Sequence, residues 1–162
     1  MNSQMQYEEM RRLGLLGLLP LAIPAIAVWM SPWALPMGFA LDLHQMALAY
    51  AGVVAAYLAG MGAGGALTAP GRNSERFVAG IAVVLVVWIA VWQGGLFRFT
   101  LGAAWRYALV IAALIYLWLR DQRAVVEGAL PGWYGALRAR LTFWACLCLL
   151  AIMSRLLLWG YY

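Results

Sequence analysis

The sequence predicts an all-α fold: a polytopic transmembrane bundle of five helices, one domain over residues 1–162. Three observations carry this. Hydrophobic residues make up 66% of the chain and charged residues 10%, against roughly 45–50% and roughly 25% in soluble domains. The apolar residues gather in five long runs, close to the ~20 residues that a spanning helix needs. The runs are rich in Leu and Ala and do not alternate, so they do not read as the short strands of a membrane barrel. This composition excludes a soluble enzyme, a disordered tail and a nucleic-acid module.

The first run covers residues 13–31, behind Arg11 and Arg12. A basic pair before an apolar core fits a signal peptide loosely. Pro20, Pro24, Trp29 and Pro32 do not resemble a small-residue cleavage site. The run reads as a retained helix, kinked at Pro20 or Pro24. Ser31-Pro32, Pro36, Gly38 and Asp42 mark a turn. The second run, 44–67, follows. A polar loop from Thr68 to Arg76 leads to the third run, 76–93, which is short for a span and closes on Gln93-Gly94-Gly95. The fourth run is 101–119. Residues 120–138 read as an inner-surface loop with a charge cluster at Arg120, Asp121 and Arg123 and a turn at Leu130-Pro131-Gly132. A short amphipathic segment on the membrane surface fits this loop. The fifth run is 139–159.

The charges give the orientation. All eleven basic residues are Arg, and the net charge is +5. Arg11, Arg12, Arg72, Arg76, Arg120, Arg123, Arg138 and Arg140 fall on one side of a five-helix topology. The positive-inside rule therefore predicts the N-terminus inside and the C-terminus outside. The tryptophans agree: Trp29, Trp33, Trp88, Trp92, Trp105 and Trp159 fall near one interface, Trp118 and Trp133 near the other. Cys146 and Cys148 lie two apart in the last run and point in different directions, so they read as unbridged thiols.

The second run carries a packing signal. Ala51, Ala55, Ala59 and Ala63 form an i,i+4 ladder, with Gly52, Ala56, Gly60 and Gly64 beside it. Lipid supplies no hydrophobic force between helices, so such a small-residue face packs by close backbone approach. Its partner is a helix of the same chain or another subunit. The glycines at 60, 62, 64 and 65 are not a phosphate loop, for they lack the Gly-Lys-Ser/Thr end.

Chemistry-bearing residues are few. Arg106 and Arg155 lie a turn or more inside their runs. They are candidates for lipid or anion contact, as are Arg138 and Arg140; an ion pair with Asp42 is another reading for the deeper two. His44, the lone histidine, reads as a polar residue at a helix start, with pigment or haem ligation a weak alternative. No paired carboxylates, nucleophile with base, or metal-ligand spacing stands out, and no cofactor is expected.

Three stretches carry a family resemblance. They are Gly17-Leu18-Leu19-Pro20; Tyr50 with Tyr57-Leu58-Ala59-Gly60 and Gly64; and Asp121 with Pro131, Trp133, Tyr134, Arg138 and Thr142. The chain resembles the small membrane family called domain of unknown function 3429, which includes bacterial inner-membrane proteins and is similar to the mitochondrial protein transmembrane protein 69. The resemblance implies five helices and no established activity. Family members usually carry Trp just before the last glycine of the second motif; this chain has Ala63.

The expected function is a non-catalytic accessory or assembly subunit of a larger bacterial inner-membrane complex. Its expected partners are membrane lipids and other integral membrane subunits or a second copy, with no nucleic acid. The alternative is a small transporter or channel with a polar path near Arg106 and Arg155. A lipid-directed enzyme using those arginines and His44 is a third reading.

Overall fold

A computed structural model describes residues 3–66, 73–92 and 101–159. Residues 68–72 of the polar loop, the Gln93-Gly94-Gly95 close, Arg98 and the last three residues lie outside the described residues. The described elements are α1 (Ser3–Leu16), α2 (Leu19–Met30), α3 (Met37–Ala66), α4 (Asn73–Val91), α5 (Ala103–Val126) and α6 (Gly132–Leu158). α1 and α2 form one interrupted rod, which makes five helices. Four segments are long and apolar enough to cross a membrane: Tyr7–Met30, Met37–Gly64, Ala103–Val126 and Gly132–Leu158. Phe77–Val91 is apolar and shorter.

The interruption lies one turn earlier than the prolines suggest. The rod breaks at Gly17 and Leu18, and Pro20 sits in the first turn of α2, while Pro24 is accommodated inside α2. The cause is the proline ring, which clashes with the carbonyl four residues back and offers it no N–H. For Pro20 that carbonyl belongs to Leu16, the last residue of α1. The Leu21 amide bonds Leu18 in a tighter turn, which frees the Gly17 carbonyl. The Tyr50 hydroxyl donates to it at 2.7 Å. Thus the Gly17–Pro20 and Tyr50 stretches that carried the family resemblance meet in space.

Several boundaries differ from the hydropathy reading, and α1 begins at Ser3, well before the apolar run that starts at 13. α3 begins at Met37, directly after Pro36, so His44 lies two turns inside a helix and is buried rather than placed at a helix start. Pro36 ends the turn, and Gly38 and Asp42 do not break the helix that follows. α5 continues to Val126 and α6 begins at Gly132, so most of the expected 120–138 surface loop is helix. The polar residues there are good helix formers; they mark the end of the apolar span without ending the helix. The true connection is a short turn with Gly128 at φ +75°, a left-handed conformation that suits glycine.

α3 is the hub, touching α2, α4, α5 and α6. Around it α2 packs on α6, α6 on α5 and α5 on α4, while α1 leans on α6. Ala47, Ala51, Ala55 and Ala59 are completely buried on the inward face of α3. Gly52 packs against Val87 and Val91 of α4, and a methyl group there would fall 2.6 Å from Val91 Cγ2. Gly80 of α4 answers with its own close approach to the Ala59 carbonyl. These small residues let the backbones come close, where dispersion and weak contacts hold helices together in lipid. The rest of the face diverges: Ala56 and Ala63 are half-buried, and Gly60 and Gly64 point outward with no atom within 4 Å of an added Cβ. Cys146 and Cys148 are unbridged.

Candidate functional site

The two ends of the bundle use their polar groups differently. Arg106 and Arg155 lie at one end, and both are committed to backbone carbonyls. Arg106 Nε donates to the Ala90 carbonyl at 2.6 Å and Nη2 to the Val91 carbonyl at 2.9 Å. It thereby caps the C-terminus of α4, where orphan carbonyls and the helix dipole favour a cation. Arg155 Nη2 donates to the Ser31 carbonyl at 2.8 Å, and its guanidinium lies 4.5 Å from the Trp159 ring and 5.4 Å from the Trp29 ring. Trp29 Nε1 donates to the Ala151 carbonyl at 3.0 Å. This cluster fixes the turn after α2, which includes a cis Ser31–Pro32 bond, onto α6. Asp42 is exposed and takes no part.

His44 stands beside the same end. Its Nδ1 bonds the Leu41 carbonyl, its ring stacks on Tyr107 at 6.3 Å, and the Tyr107 hydroxyl donates to the His44 carbonyl at 2.7 Å. Tyr107 is completely buried. The pair ties α3 to α5 through groups that both have partners. Among the described residues no cluster of three His, Cys, Asp or Glu side chains is placed to hold a metal.

The opposite end is basic and holds the third family motif. There α5 and α6 form a helical hairpin across the turn at residues 127–131. Arg138 Nε donates to Asp121 Oδ2 at 2.9 Å, and both side chains are nearly buried. Asp121 is therefore buried in α5 and not part of a surface loop. A buried carboxylate requires such a partner. One turn further, Thr142 is buried, and its Oγ1 and Arg138 Nη2 have no hydrogen-bond partner among the described residues. Gln122 Nε2 donates to the Gly135 carbonyl at 2.9 Å, where glycine admits the close approach of α5. Trp133 packs edge-on against Tyr7 of α1 at 6.1 Å and against Tyr134. Pro131 precedes the first turn of α6 with β backbone angles. Arg140 and Tyr57 are exposed.

Beside the hairpin lies a cavity of about 370 Å³ between α3, α4, α5 and the α5–α6 turn. Its walls include Leu58, Met61 and Gly62 of α3 and Arg120, Asp121, Arg123 and Tyr134 of the hairpin. Arg120 extends across to Gly62, with Cζ only 2.6 Å from where a Cβ would stand. Arg120 and Gly62 are the site residues that the sequence reading missed as a pair. Arg120 registers there only as an orientation charge, and nothing in the spacing joins positions 58 residues apart before α3 and α5 are known to touch.

The fold and these ends define the class: an integral membrane protein built as a polytopic helix bundle. The family is defined too. The family model described as "Protein of unknown function (DUF3429)" matches residues 7–154, and the chain belongs to that family. No curated protein and no solved structure matches the chain.

Proposed function

We propose that the protein is a non-catalytic accessory or assembly subunit of a larger bacterial inner-membrane complex. The observation that carries this reading is the outward notch on α3. Gly60 and Gly64, one helical turn apart, are exposed and unopposed among the described residues. A small-xxx-small pair on a lipid-facing surface is a seat for another transmembrane helix. Above it the same outward sector carries Met46, Val53 and Tyr57, all exposed. A helix of another subunit fits this strip: small residues for the close crossing, larger ones for the flank. Mild extraction from the native host is expected to yield a stoichiometric membrane partner. The Gly60→Leu, Gly64→Leu double variant is expected to lose that partner while remaining folded. A clean monomer from the unaltered protein under the same extraction refutes the reading.

The transport reading loses its support at Arg106 and Arg155, because both guanidinium groups are held by carbonyls of their own bundle.

We further propose that the basic end faces the cytoplasm, with the N-terminus inside and the C-terminus outside. The support is the shared location of Arg11, Arg12, Arg120, Arg123, Arg138 and Arg140 at one end of the bundle. A C-terminal reporter active only outside the cytoplasm is expected to be active, and an N-terminal one silent. The reverse pattern refutes this orientation.

A further inference from the structure

We propose that the cavity at the basic end binds a phosphate-bearing anion, with Arg120 as its anchor. Arg120 Nη1 and Nη2 are buried, and neither has a hydrogen-bond acceptor among the described residues. Leaving such donors unmet is costly, more so for a charged group in a low-dielectric setting. The neighbouring Asp121 carboxylate accepts from Arg138 Nε through Oδ2 and makes no hydrogen bond to these two nitrogens. Arg106 and Arg155 each donate to a carbonyl at the other end, although Arg155 Nε also lacks a partner among the described residues. Arg120 is held in place without being satisfied: Gly62 supplies the space for its guanidinium, and any side chain there would overlap it.

The cavity suits an anion of moderate size. At about 370 Å³ it exceeds the room a single water needs. A second cation, Arg123, and the Tyr134 side chain share its wall. A guanidinium fork with two unpartnered nitrogens matches two oxygens of one phosphate once the side chain turns from Gly62 into the cavity. The wall also carries two carboxylates, Asp121, which pairs with Arg138, and Glu127, while Leu58, Met61 and Ala79 form an apolar side on α3 and α4. One ligand chemistry spans both walls: a phosphate at the polar end with hydrocarbon below it, as in an anionic phospholipid. A soluble phosphate ester meets the same guanidinium but leaves the apolar wall uncovered. The proposal holds for either orientation of the bundle and does not depend on a partner subunit.

The test uses the full chain in mild detergent, read by native mass spectrometry. The probes are phosphatidylglycerol, dioleoylglycerol as a phosphate-free lipid, and inorganic phosphate as competitor. The unaltered protein is expected to retain phosphatidylglycerol over dioleoylglycerol. Arg120→Gln is expected to lower that retention about tenfold, the worth of one charge-assisted contact, and Arg12→Gln at the exposed N-terminal end is expected to leave it unchanged. Gly62→Ala keeps the charge but displaces it, and is expected to weaken retention in parallel. It also keeps the proposal testable where Arg120→Gln fails to fold. Competition by millimolar inorganic phosphate marks a soluble phosphate compound as the occupant; resistance to it marks a lipid headgroup. Equal retention of both lipids by the unaltered protein, with no bound inorganic phosphate, overturns the proposal. So does an Arg12→Gln loss as large as that of Arg120→Gln, which would make the effect one of general surface charge.

Discussion

Asp121→Leu is expected to lower the unfolding free energy of the detergent-solubilised protein by about 3–5 kcal/mol, the cost of stranding one member of a buried ion pair. The stranded member is Arg138, whose side chain is 8% exposed and whose Nε donates to Asp121 at 2.9 Å. Arg138 Nη2 already lacks a partner among the described residues, so the variant leaves a nearly buried cation with still fewer acceptors. The double variant Asp121→Leu, Arg138→Met removes both charges and fills similar volume. It is expected to recover most of the loss, because a buried pair is often replaceable by well-packed apolar groups. Unfolding in mixed micelles of increasing SDS fraction measures both. A single variant as stable as the parent would mean that the pair does not hold α5 to α6.

Gly52→Leu is expected to cost about 1–3 kcal/mol or more through overpacking. The site has no slack: a Cβ alone falls 2.6 Å from Val91 Cγ2 and 3.1 Å from Val87 Cγ1. The strain falls on the α3–α4 contact, where the shortest apolar helix meets the hub. Gly60→Leu, on the same helix but facing outward, is expected to change stability by less than about 1 kcal/mol. The same SDS titration compares them. Equal effects at the two positions would remove the distinction between the packed and the open part of the small-residue face.

Several features of the fold are legible in the chain because they depend on local composition. Apolar runs separated by arginines give the helices, and the shortness of the third run is visible as a shortness of α4. Where hydropathy misleads, the reason is also local. It reports where a helix leaves the apolar layer, so it ends the fourth run at 119, whereas Arg120 to Val126 continue as helix. At Pro20 the residue is visible, but the disruption acts on the carbonyl of Leu16 and so appears one turn earlier.

The candidate site is legible in part only. Asp121, Pro131, Trp133, Tyr134, Arg138 and Thr142 stand out as non-apolar residues in a recurring pattern, and the hairpin brings them to one end. The pairing of Asp121 with Arg138 requires the turn at 127–131, which a long surface loop would not supply. The contact of Arg120 with Gly62 requires knowing which helices touch. The outcome for Arg106 and Arg155 depends on helix ends elsewhere in the chain, at Val91 and Ser31, and no spacing rule reaches that far.

The brevity of α4 bears on the membrane as well as on the protein. Phe77–Val91 reaches about 22 Å at 1.5 Å per residue, while a typical hydrocarbon core is about 30 Å thick. Arg106 holds the Ala90 and Val91 carbonyls at the end of this helix. An apolar stretch this short favours thinning of a bilayer beside it, whereas α3 and α6 are long enough not to require it. Hydrophobic mismatch of this kind draws helices together to relieve it, and it favours residence beside proteins or in membranes that are themselves thin.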